Sequence, residues 1–230
     1  MIEVADLYKS FGDAAVLQGA SFSAAPGTAT VLVGPNGSGK TTTLHVLAGL
    51  VAPDAGTARI DGTDVTTDRT AAQERLAFLP QDVRFHDALT PRQVLRFYAG
   101  LRDAPDARLD ARLDALLDDV GLADAAQKSC GALSGGMRQR LGIAVFELAR
   151  APVLLLDEPG LSLDPKWRGF LMDRLRARVE EGAAVLMATH LLDVWRPLAD
   201  RVLRCEGGTV REVEPTTGAV ASVDENASAV

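Results

Sequence analysis

A chain of 230 residues, 47% hydrophobic and 24% charged, can bury the core of one large or two small domains. Its net charge of −7 argues against a nucleic-acid-binding surface, and no run approaches the roughly 18 apolar residues of a membrane span. Met1-Ile2-Glu3-Val4 lacks the basic and apolar regions of a signal peptide, so the chain is expected to be cytoplasmic, with any membrane role passing through a partner.

Residues 2–7, 15–17 and 20–23 read as short strands of an antiparallel sheet, with turns at Gly12-Asp13 and Pro26-Gly27. Thr30-Val31-Leu32-Val33 is a buried strand, and residues 42–50 read as a helix. Between them stands Gly34-Pro35-Asn36-Gly37-Ser38-Gly39-Lys40-Thr41, of the form G-x-x-x-x-G-K-[ST]. Its glycines let the backbone curl so that N–H groups point at phosphate oxygens, and the helix that follows adds its dipole. Lys40 would reach the β- and γ-phosphates of a nucleoside triphosphate, and the Thr41 hydroxyl would take one position on Mg²⁺.

Further on, Pro53-Asp54-Ala55-Gly56 is a turn, residues 57–60 a short strand, and Leu76-Ala77-Phe78-Leu79 an apolar run stopped by Pro80. From Gln81 to about Arg150 the pattern is helical. Thr90, Pro91 and Gln93 form the start of one helix, with a capping box. Leu109, Leu113, Leu116, Leu117 and Val120 mark a second; Met137, Leu141, Ala144, Val145 and Leu148 mark a third, opening at Ser134-Gly135-Gly136. The α/β pattern then resumes with apolar strands at 153–156 and 183–188, separated by a helix opening at Asp164-Pro165. Residues 201–205 and 209–213 read as a closing hairpin around Gly207-Gly208, and the acidic tail 214–230 as flexible or weakly docked. Cys130 and Cys205 have no metal or redox spacing and read as structural thiols.

These elements predict an α/β fold: a P-loop NTPase core with a mainly parallel sheet, an N-terminal antiparallel β subdomain and an inserted α-helical subdomain. One domain is expected over 1–213, with the core at 1–82 and 151–213 and the helical subdomain at 83–150.

Leu154-Leu155-Leu156-Asp157-Glu158 ends a buried strand in two carboxylates. Alone, that is a strand ending in solvated acids. Beside the phosphate loop, Asp157 suits Mg²⁺ coordination and Glu158 suits activation of water for attack on the γ-phosphate.

In their order, the motifs resemble a nucleotide-binding subunit of the ATP-binding-cassette family, over about residues 2–213. Leu133-Ser134-Gly135-Gly136-Met137-Arg138-Gln139-Arg140 is similar to that family's signature sequence, and Gln81 stands at its Q-loop position. Leu161-Ser162-Leu163-Asp164 matches the D-loop, Thr189-His190 the switch histidine, and Phe11 the aromatic that stacks on adenine. The resemblance implies a head-to-tail dimer in which Ser134, Gly135 and Gly136 of one chain close over the γ-phosphate held by the other. It also implies that His190 contacts the γ-phosphate and holds the attacking water with Glu158, that Gln81 ligates Mg²⁺, and that Thr42 and Asp164 join the nucleotide site. On local sequence alone Ser134 is an ordinary N-cap, Phe11 is equally a core residue with Tyr8 as competitor, and His45 and His86 are structural or surface histidines. Met137, Gly160 and Ser162 depart from the commoner family residues without removing Glu158, Asp164 or His190, so hydrolysis is expected.

The expected role is an ATP- and Mg²⁺-dependent motor subunit of a transporter of exporter type, paired with a second copy or a related cassette and with a separate membrane-spanning permease. It would sit on the inner face of the cell membrane through that partner, with no direct nucleic-acid contact. A partner helix would dock near residues 81–101, with Phe85, Leu89 and Phe97 as contacts if they are not insertion core. The alternatives are a soluble ATPase of this family acting on a ribosome or DNA, and a regulatory nucleotide binder without hydrolysis. Intact Glu158 and His190 speak against the last.

Overall fold

The computed structural model describes residues 1–101 and 108–213; the tail 214–230, read above as flexible, lies outside the described residues. The chain begins as an antiparallel hairpin of β1 (Ile2–Phe11) and β2 (Ala14–Ala24), turning at Gly12-Asp13. These strands run longer than the short segments expected. The reason is a bulge: Asp6 adopts φ 47, the pairing register shifts between Val4 and Leu7, and alternation is broken while pairing continues to Phe11. β4 (Ala55–Ile60) and β5 (Thr63–Asp64) complete a four-stranded sheet ordered β2-β1-β4-β5.

The second sheet has six strands: β3 (Thr28–Val33), β6 (Leu76–Leu79), β7 (Val153–Asp157), β8 (Ala184–Thr189), β9 (Arg201–Glu206) and β10 (Thr209–Val213). Its order is β10-β9-β3-β8-β7-β6, parallel throughout except for the final β9-β10 hairpin. Both faces are covered, which is why β7 reads as an unbroken apolar run. Leu154 and Leu156 join the cluster under the helices, while Val153 and Leu155 join the cluster shared with the antiparallel sheet. Each such leucine contributes roughly 1.5–3 kcal/mol by leaving water.

Helix α1 (Lys40–Leu47) follows β3 and is buried between the two sheets, with Leu44 and Leu47 fully inside. It is shorter than the 42–50 expected and starts earlier; Gly49, at φ 68, ends it. The six-residue α2 (Arg69–Glu74), capped by the Asp68 carboxylate accepting from Ala71 N, has no apolar stripe to announce it.

The inserted helices are α3 (Pro91–Gly100), α4 (Leu109–Asp119) and α5 (Gly135–Leu148). The Thr90–Gln93 capping box forms in both directions, at 3.3 and 2.9 Å. Val94, Leu95, Leu113, Leu117 and Leu141 bury against one another and run into the core beneath α6 (Pro165–Glu180). Phe85 and Leu89 pack against this cluster, whereas Phe97 stays 59% exposed. A short α7 (Leu192–Trp195) follows β8. Cys130 and Cys205 are buried free thiols. No helix among the described residues is long and apolar enough to cross a membrane.

Candidate functional site

β3 delivers its chain into the glycine loop at the C-terminal edge of the parallel sheet, where α/β ligand sites lie. Two glycines there are obligatory. A β-carbon on Gly34 would stand 2.2 Å from the Cys205 carbonyl oxygen, and one on Gly39, already at φ 104, would stand 2.8 Å from Leu17 Cδ2. Cys205 also donates its thiol to the Ser38 carbonyl at 2.8 Å, so β9 braces the loop from below.

The loop fits a phosphate. Gly39 gives α1 no side-chain cap, which leaves N–H donors at the helix start. Ser38 Oγ is buried without a hydrogen-bond partner. Lys40 is buried too, its Nζ donating to the carbonyls of Gly34 and Pro35 at 2.9 and 3.0 Å, and no carboxylate among the described residues pairs with it. A buried ammonium held by carbonyls alone is matched to an anion. Asn36, Gly37, Gly39, Lys40, Thr41 and Thr42 line the adjoining cleft of about 500 Å³.

The Thr41 hydroxyl donates to Asp157 Oδ1 at 3.2 Å, joining the first turn of α1 to the tip of β7. Burial pushes the Asp157 carboxyl up, and neighbouring Glu158 adds to this; the Thr41 hydrogen bond, His45 and Lys40 pull the other way. The Thr41 hydroxyl and the Asp157 carboxylate are oxygen donors of the kind Mg²⁺ takes, and the exposed Gln81 lines the same cleft as Thr41.

Glu158 follows at φ 45, outside the range most residues adopt, and is buried. Its Oε2 accepts from the Thr189 hydroxyl at 3.0 Å. Its Oε1 accepts from the His190 backbone N–H at 3.0 Å and lies 2.9 Å from His190 Nδ1. The arrangement places a carboxylate and an imidazole in contact in the same cleft as Lys40 and Thr41. That can polarise a phosphoryl group and take a proton from water.

Phe11 lines the cleft and is 51% exposed, so it is not core. Tyr8 instead lies over Gly19, whose added β-carbon would meet the tyrosine hydroxyl at 3.0 Å. Ser134, Gly135, Gly136 and Asp164 do not line this cleft. Ser134 caps α5 by accepting from Met137 N at 3.2 Å, and Asp164 caps α6 by accepting from Trp167 N at 3.0 Å. The two caps belong to one region, since a β-carbon on Gly136 would lie 3.5 Å from the Ser162 carbonyl oxygen. His45 meets Phe78 edge-on and His86 accepts from Ala88 N; neither lines the cleft. Val16 and Leu161 line the cleft unassigned by the sequence reading, as Thr189 touches Glu158 unassigned. Of these, Thr189, adjacent to His190 at a strand tip, and Leu161, first in the D-loop match, carried a signal.

The family model described as ABC transporter matches residues 17–160. A second, described as an AAA domain and putative AbiEii toxin, matches residues 129–193. The chain is 37% identical over 221 residues to the daunorubicin/doxorubicin resistance ATP-binding protein DrrA of Streptomyces peucetius, covering 96% of this chain and 67% of that protein. It is 36% identical over 207 residues to the Nod factor export ATP-binding protein I of Paraburkholderia xenovorans, covering 90% and 68%. The chain thus spans about two thirds of the length of these curated relatives. Among solved structures, an ATP-binding subunit of an ABC transporter matches with TM-score 0.86 at 28% identity, covering 93% of this chain and 89% of that one. A dimeric ATP-binding cassette in a post-hydrolysis state, bound to ADP and Pi, matches with TM-score 0.85 at 25% identity, covering 93% and 98%. With the fold, the phosphate loop and these relatives in agreement, the chain belongs to the ATP-binding-cassette transporter family, as one of its ATP-binding and ATP-hydrolysing subunits.

Proposed function

We propose that this subunit is the motor of an export system, working as a head-to-tail dimer around two ATP–Mg²⁺ and driving a separate membrane-spanning subunit at the inner face of the membrane. One observation carries the reading: Lys40, Thr41, Gln81, Glu158 and His190 line a single cleft, while Ser134 and Gly135 are exposed outside it. A second copy or a related cassette supplies what one chain lacks. The names of the relatives, drug resistance and Nod factor export, support the export direction.

Bound ATP–Mg²⁺ supplies the γ-phosphoryl group and the cation that draws charge from it. Lys40 and the α1 N–H groups hold the phosphates; Thr41, Asp157 and Gln81 hold the cation. Phe11 stacks on the base, with Thr42 and Asp164 completing the nucleotide contacts. Glu158 accepts a proton from water that His190 helps to orient. Ser134, Gly135 and Gly136 of the partner copy cover the γ-phosphate. The segment 83–150 acts as the helical arm on the core formed by 1–82 and 151–213. Phe97 on its α3 and Leu101 just beyond that helix, the latter 65% exposed, offer an apolar face to the membrane subunit.

The test is Glu158→Gln. The variant is expected to bind ATP, to accumulate as a dimer by light scattering, and to lose turnover by a factor of about 100 or more. Unchanged phosphate release would refute Glu158 as the base. Recovery of the protein with detergent-solubilised membranes supports the transport reading; recovery wholly in the ribosomal or nucleoid fraction overturns it.

A further inference from the structure

Thr189 ends β8, one residue before His190, and is 1% exposed. Its hydroxyl oxygen accepts the Leu191 backbone N–H at 3.0 Å and lies 3.0 Å from Glu158 Oε2. A threonine hydroxyl has one proton to give, and an ionised carboxylate only accepts. With Leu191 N–H already aimed at the oxygen, the hydroxyl proton points at Glu158. The direction of this hydrogen bond is therefore set by the backbone beyond it.

Glu158 needs such a restraint. A non-glycine residue at φ 45 is held in a sparsely populated conformation, and it persists where its surroundings over-determine it. The ties to its side chain differ in kind. The His190 ring is 44% exposed and turns on its own side-chain bonds. The Thr189 hydroxyl is buried, on a central strand hydrogen-bonded to β3 and β7. With the His190 backbone N–H, which donates to Oε1 at 3.0 Å and to Oε2 at 3.3 Å, it is a tie that stays put.

We propose that Thr189 is a positioning residue for hydrolysis: its hydroxyl holds Glu158 Oε2 and so fixes the orientation of the carboxylate that takes the proton from water. The inference rests on the reading of Glu158 as the base. Thr189 is not among the residues that line the cleft; it acts through the carboxylate.

The experiment compares Thr189→Val, Thr189→Ser and Glu158→Gln in the purified full chain, by steady-state ATP hydrolysis with Mg²⁺ and by thermal melting. Valine keeps the β-branched shape and removes the proton; serine restores the proton without the methyl group. Thr189→Val is expected to lower kcat by about 10-fold to 100-fold, the scale of one hydrogen bond to a charged group, with KM for ATP within about 2-fold of the parent. Thr189→Ser is expected to recover kcat to within about 3-fold. Parental kcat in Thr189→Val, alongside an inactive Glu158→Gln, overturns the inference and leaves the base assignment standing. So does a kcat loss that serine fails to rescue, or a KM that rises in step, since either marks a merely structural threonine. If Thr189→Val does not fold, Thr189→Ala is read by the same criteria. Full turnover in Glu158→Gln overturns the base assignment itself.

Discussion

Val83 and Gly142 stand so close that a β-carbon on Gly142 would lie 2.8 Å from Val83 Cγ2. Val83 comes two residues after Gln81, which lines the nucleotide cleft, and Gly142 lies in α5, the helix that opens at Ser134. The segment carrying the cleft's amide is thus pressed directly onto the helix whose exposed start lies outside that cleft. A movement of one is transmitted to the other by contact between packed atoms, which yield little.

Gly142→Ala tests this contact. In an ordinary helix interior the change stabilises by roughly 1 kcal/mol. Here overpacking, typically about 1–3 kcal/mol, opposes it. A net loss of about 1 kcal/mol is expected in urea unfolding, together with reduced ATP turnover. A raised denaturation midpoint with parental turnover would mean that Val83 simply moves aside.

Gly160 is a second enforced glycine. The family's commoner threonine would bring a β-carbon to 3.2 Å from Trp195 Cζ2, and Trp195 is fully buried on α7, just beyond His190. The loop from Glu158 to Asp164 is thereby packed onto the segment that follows His190. Gly160→Thr is expected to lower both melting temperature and kcat. Combining it with Trp195→Leu should cost less than the sum of the two single changes by about 1 kcal/mol, as expected for residues in contact. Strict additivity in this double-mutant cycle would contradict the contact.

Glu147 lies in a second cleft, of about 520 Å³, between α4, α5 and α6. Its Oε1 is 3.3 Å from Arg174 Nε without the alignment of a hydrogen bond, and Arg174 also pairs with Asp119. Burial pushes the Glu147 carboxyl up, Asp119 adds to this, and Arg174 and Arg178 oppose it. A carboxyl raised on folding binds its proton more tightly in the folded chain, so its contribution to stability is present below the unfolded value and is lost as pH rises through the folded one. Glu147→Gln removes that dependence. The melting temperature of the variant relative to the parent is expected to climb from about pH 4.5 towards neutrality. A difference constant across that range would show that Glu147 does not titrate differently on folding.

Much of this architecture is written in local pattern. Val31 to Val33, Leu154 to Leu156 and Val185 to Ala188 are buried on both faces and so are continuous apolar runs. The loop from Gly34 to Thr41 and the cap at Thr90 have spacings set by backbone geometry. What escaped the reading depends on neighbours distant in sequence. The bulge at Asp6 hides the length of β1, and α2 is too short for a stripe. Helical spacing could not separate Phe97, which faces water, from Phe85 and Leu89, which pack inward. Thr189 looks like one more residue of a buried strand until Glu158, from another strand, is brought beside it.

The thiol of Cys205 reaches a carbonyl in the phosphate loop 167 residues earlier. At synthesis rates of about 5–20 residues per second, the loop leaves the ribosome roughly 10–30 s before the strand that braces it. During that interval Gly34 and Ser38 have no floor from β9, and the parallel sheet lacks the edge that carries the last hairpin. The loop is therefore made long before the strand that completes its shape, and nucleotide capture waits for residues 201–206.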